Sequence, residues 1–125
     1  MAVPIMKQGD VLIASMQEAL TDHALLELRD RLSELVGKVR AHAVLIDVTA
    51  LDVVDSFATR TLRGIAYTAR LRGARTVVVG IQPEVAFSMV QLGLTLDGVA
   101  TALDLEEGLE LIRDDHVGEG GGDGP

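Results

Sequence analysis

Asp55 and Ser56 are the residues of this sequence best placed to do chemistry. They lie between apolar Val54 and Phe57, where an apolar strand gives way to an amphipathic helix. An oxygen at a helix start has two common uses. As a cap, it accepts a hydrogen bond from an amide of the first turn that otherwise lacks a partner. Alternatively, a serine there carries a phosphate, whose charge meets free amides and the positive end of the helix dipole. Asp55 opposes that second use, because like charges repel. A phosphoserine here is thus a change the fold survives and a partner surface feels. The partner would have to desolvate about two negative charges in place of a neutral hydroxyl. Thr59, three residues on, is the competing hydroxyl. Both uses of Ser56 stay open on the residues alone.

No other reactive groups converge. His23, His42 and His116 are scattered, with no partners at ligand spacing, whereas zinc sites usually need three or four ligands. Cysteine is absent, so there is no disulfide, thiolate nucleophile or thiolate metal site. No G-x-S-x-G surrounds Ser56, and the glycines follow no phosphate-loop or dinucleotide pattern. Asp47 stands near a strand end, as the phosphoacceptor of a response-regulator receiver would. Receivers also use an acidic pair after the first strand and a late lysine. Here Met16, Gln17 and Glu18 follow that strand, and the lysines are Lys7 and Lys38. Asp47 is instead expected to satisfy backbone donors of the following loop. No catalytic residue, metal or cofactor is expected.

The elements that position Ser56 follow from hydrophobic period and caps. Val3 to Met6 reads as an edge strand, given Pro4, and Val11 to Ser15 as its hairpin partner across a turn at Gln8-Gly9-Asp10. Met16 to Leu20 is ambiguous. A helix capped by Thr21 or Asp22 runs to about Arg40, with Leu25, Leu28, Leu32, Leu35, Val36 and Val39 on one face. Glu27 with Arg31 and Glu34 with Lys38 fit ion pairs on its wet face. Ala43 to Val48 is a nearly continuous apolar run, as in a strand covered on both faces. A helix from about Asp55 to Arg72 follows, then a strand at Arg75 to Ile81. A short helix from Pro83 to about Leu92 and a strand at Val99 to Leu103 come next. Asp104 and Glu107 resemble a capping box before a helix over Leu105 to about Arg113. The fold class is therefore α/β: a mixed, mostly parallel sheet of about five strands with about four helices. Residues 116–125 are glycine-rich and expected to be disordered.

The 125 residues suit one domain, which at that size hides roughly two thirds of its unfolded surface. Aromatics are 2%, so the core must be aliphatic, and base stacking on nucleic acid gains little support. The net charge of −8 repels phosphate backbones and anionic membranes but suits a partner with a basic face. The N-terminus does not resemble a signal peptide, and no apolar run approaches the roughly 20 residues of a membrane span. A cytoplasmic location is expected, with neither nucleic acid nor membrane as partner.

Leu45 to Leu62, LIDVTALDVVDSFATRTL, resembles the signature of STAS domains, those of sulfate transporters and anti-sigma-factor antagonists. V-D-S-F followed by a helix is similar to the RsbS-type branch, the single-domain scaffolds of bacterial stressosomes. RsbR-type relatives usually carry threonine where this chain has Ser56. Sporulation-type antagonists more often have a small residue where it has Phe57. The element order fits a STAS domain over about Val3 to Arg113, with the domain placed at residues 1–115.

The resemblance implies that Ser56 is phosphorylated by an RsbT-type serine kinase of the GHKL ATPase class, with Thr59 as the secondary candidate. It implies a partner surface of Asp55, Ser56, Phe57 and Thr59. Unphosphorylated protein would assemble with RsbR-type STAS proteins, as homodimers and in a large assembly, and hold the kinase. Phosphorylation would release the kinase to a downstream output in the stress response, and an RsbX-type phosphatase would reset Ser56. ATP belongs to the kinase, so no cofactor is implied. Three other readings stand beside this one. They are an anti-sigma factor antagonist binding an anti-sigma kinase directly, a small enzyme or ligand-binding α/β domain, and a detached transporter-type regulatory domain.

Overall fold

A computed structural model describes residues 3–17 and 21–121, with side-chain surroundings through Asp114. The apolar runs of the sequence become five strands: β1 (Ile5–Gln8), β2 (Val11–Ser15), β3 (Ala43–Asp47), β4 (Arg75–Val79) and β5 (Ala100–Ala102). They form one sheet in the order β1-β2-β3-β4-β5. β1 and β2 are an antiparallel hairpin, and every later neighbour is parallel. Gly9 turns the hairpin at φ 63°, a conformation open to glycine without a Cβ clash. β1 begins after Pro4, later than the expected Val3 to Met6. Proline has no amide to donate, and its carbonyl oxygen accepts from Ser15 N at 3.2 Å just outside the strand.

Four helices join the strands: α1 (Asp22–Val39), α2 (Ser56–Leu71), α3 (Pro83–Gln91) and α4 (Leu105–Gly121). The period-two alternation of the strands sorts the core into two layers. Leu12, Ala14, Val44, Ile46 and Val78 point to one face, where they meet Leu28, Leu32 and Val36 of α1, Leu62 and Ile65 of α2, and Val85 of α3. Ile13, Ala43, Leu45, Val77 and Val79 point to the other, where Leu105, Leu109 and Ile112 of α4 pack. Gly108 makes that seat possible. A Cβ on it would lie 2.7 Å from Val79 Cγ1 and 2.8 Å from Leu45 Cδ2. The continuous apolar reading of β3 thus corresponds to a strand buried on both faces.

The helix starts are read well from their caps. Thr21 Oγ1 accepts from Ala24 N at 3.1 Å. Asp104 Oδ1 accepts from Glu107 N at 2.8 Å, while Glu107 reaches back to the amide of Leu103 at 2.6 Å. The ends are read less well. α1 stops at Arg40, which adopts φ 54°, a left-handed conformation with no glycine to announce it. α4 runs to Gly121, past the expected end near Arg113 and into the glycine-rich segment. Residues 122–125, and the side chains beyond Asp114, lie outside the described residues, as do residues 18–20 of the ambiguous Met16 to Leu20 segment. On the wet face of α1, Arg31 does not take up the expected pairing with Glu27. It donates to the carbonyl oxygen of Val3 at 2.6 Å, and Glu27 faces His23 at 3.8 Å instead. No helix among the described residues is long and apolar enough to cross a membrane.

Candidate functional site at the start of helix α2

The loop from β3 to α2 is held by three strand ends. Asp47 Oδ1 accepts from the Thr49 amide at 2.9 Å and from its hydroxyl at 2.6 Å, the loop-bracing role expected of it. Its carbonyl oxygen accepts from Met16 N, just beyond β2, at 2.9 Å. Val48 N donates to the carbonyl oxygen of Val79 in β4 at 2.9 Å, and Gln82 Nε2 donates to that of Thr49 at 2.9 Å. Gly80 takes φ 83°, and a side chain there would run into Thr49. Leu51 and Val54 then turn inward and are buried. Buried apolar anchors and satisfied backbone groups make a rigid platform out of a loop.

On that platform the two polar candidates divide their work. Asp55 is extended, at φ −85° and ψ −174°, and its Oδ1 accepts from Ala58 N at 2.8 Å. Asp55 is therefore the cap. Ser56 is the first helical residue and exposed, and its hydroxyl makes no hydrogen bond with any described residue. The amides of the first turn before Ala58 have no acceptor inside the helix, so the site offers free N–H groups and a dipole end beside a free hydroxyl. Arg60, one turn on and exposed, shares the helix face of Ser56.

The other two expected contact residues do not share that exposure. Phe57 is half-buried and packs against the larger core layer. Thr59 is 1% exposed, and its hydroxyl donates to the carbonyl oxygen of Asp55 at 2.8 Å. The structure does not bring Thr59 to the surface beside Ser56. Being four residues after the cap, it faces inward with the apolar stripe, which its polarity conceals in sequence. Arg60 is the residue that sequence reasoning passed over. Its spacing of four from Ser56 was the available signal.

Among the described residues, no base is hydrogen-bonded to Ser56. His42 lies just before β3, at the other end of the sheet, with Nδ1 2.8 Å from Asp10. His23 is on α1, beside Glu27. No group of three or more His, Asp or Glu among the described residues could hold a metal ion.

Residues 2–107 match the model of the STAS domain family. Among solved structures, a variant of RsbS from Moorella thermoacetica with a serine replaced by glutamate is 37% identical, with a TM-score of 0.79. That match covers 91% of this chain and 97% of the other. A chain of the stressosome, described as a signal integration and transduction hub, is also 37% identical, with a TM-score of 0.76 over 90% of this chain and 98% of that one. The RsbT co-antagonist protein RsbRA of Bacillus subtilis (strain 168) is 37% identical over 75 residues, 60% of this chain. The matched region spans only 27% of the length of RsbRA.

Proposed function

The chain belongs to the STAS domain family, and we propose that it is a phosphorylatable, non-enzymatic scaffold of a bacterial stressosome, switched at Ser56. Unphosphorylated, it holds an RsbT-type serine kinase within an assembly with RsbR-type STAS proteins. Phosphate on Ser56 releases the kinase to the stress response, and an RsbX-type phosphatase restores the holding state. The similarity to a stressosome chain and to RsbRA supports the assembly and the RsbR-type partners. The proposed setting is cytoplasmic, with homodimers as the building unit.

One observation carries the choice of residue: Asp55 caps α2, so the exposed hydroxyl of Ser56 has no structural duty. Modification there leaves the cap in place and changes the surface. The contact set is Asp55, Ser56 and the exposed edge of Phe57, with Arg60 on the same face. Thr59 can join it only if the first turn of α2 opens.

The test is incubation of the purified protein with its cognate serine kinase and ATP, followed by mapping of the phosphate by mass spectrometry. A single phosphate on Ser56, absent from Ser56→Ala, is the expected result. Phosphate elsewhere, or none with a kinase active on another substrate, would refute the assignment.

A further inference from the structure

A half-open cleft of about 860 Å³ lies at the end of the sheet opposite Ser56, where β2, β3 and β4 begin. It exists because β5 starts late. Ala100 pairs with Val77, so Arg75 and Thr76 have no strand beside them on that side. The last turn of α2 supplies Arg70 to one wall, and α4 supplies Leu109, Ile112 and Arg113 to the other. The volume falls in the usual range for small-molecule sites.

The charge of the lining runs against the charge of the chain. Three of its eleven basic residues, Arg70, Arg75 and Arg113, line the cleft, against one of its nineteen acidic residues, Asp10. That carboxylate is engaged, 2.8 Å from His42 Nδ1. Planar guanidinium groups favour carboxylate and phosphate oxygens, and Leu109 and Ile112 favour carbon.

We propose that this cleft binds a small organic anion, a phosphate or carboxylate group on an apolar body. The anionic head meets the arginines, and the body lies on α4. The site is independent of the Ser56 switch and stands or falls without it.

Phenyl phosphate is a suitable probe, followed through amide NMR shifts of the full chain, with inorganic phosphate as the head alone. Saturable shifts clustered at Gly73, Thr76, Gly98 and Ile112 are expected, with phenyl phosphate binding more tightly than inorganic phosphate. The exposed pair Arg70→Gln and Arg113→Gln together should weaken binding at least about tenfold, with melting temperature retained. Ser56→Ala should leave binding unchanged. Shifts that do not saturate, that scatter over the surface, or that survive the double arginine replacement would overturn the proposal. Equal affinity for inorganic phosphate would overturn the apolar half of it.

Discussion

Asp55 accepts the amide of Ala58 at 2.8 Å and so relieves Ser56, its neighbour, of capping the helix that Ser56 begins. The two residues therefore differ in what their removal does. Asp55→Ala loses a cap and should lower stability by about 1 kcal/mol, most of it recovered in Asp55→Asn. Ser56→Ala loses an exposed hydroxyl and should stay within about 0.5 kcal/mol of the parent. Urea denaturation of the three variants checks this. The reverse order would mean that Ser56 is the cap.

Thr59 is a structural hydroxyl. It is buried and donates to the carbonyl oxygen of Asp55. Thr59→Ala removes a methyl group and a buried hydrogen bond, and should cost about 1–2 kcal/mol. Phosphopeptide mapping of the folded protein should find no phosphate on it, because a kinase cannot reach the hydroxyl without unwinding the first turn of α2.

The route from sequence to site was short where local chemistry decides and lost where distant segments meet. The apolar run of β3, the stripe of Ala58, Leu62, Ile65 and Ala69 on α2, and the Asp104 and Glu107 cap all state their structure within a few residues. Asp55 and Ser56 were both plausible caps, since each can present an oxygen to the first turn. Only the backbone geometry at Asp55 separates them. Thr59 reads as surface because it is polar, although its helical position turns it inward. The cleft had no signature at all. Arg70, Arg75 and Arg113 come from the end of one helix, the start of a strand and a second helix, and a shortened β5 creates the space between them.

Gly108 is expected to tolerate no larger residue. Helix propensity favours replacing it, but a Cβ would lie 2.7 Å from Val79 Cγ1 and 2.8 Å from Leu45 Cδ2, both in the core. Gly108→Val should lower stability by about 1–3 kcal/mol through overpacking, despite a better helix former at that site. Thermal and urea denaturation measure it, and a stabilised variant would show that α4 is not seated on this face.

Arg40 ends α1 at φ 54°, where a Cβ crowds the backbone. Arg40→Gly should raise stability by about 0.5–1 kcal/mol, because glycine adopts the left-handed conformation without that strain. The same replacement inside α1, at exposed Lys38, should do the opposite by a similar amount. A pair of urea curves decides between them.

The central claim is that phosphate on Ser56 weakens the hold on the kinase. Binding of the RsbT-type kinase to the protein, before and after stoichiometric phosphorylation at Ser56, tests it most directly, for example by calorimetry without ATP. The account predicts a loss of affinity of at least about tenfold, from desolvating about two charges where a hydroxyl was accepted. It predicts unaltered binding for Ser56→Ala. Equal affinity of the kinase for the modified and unmodified protein would contradict the switch.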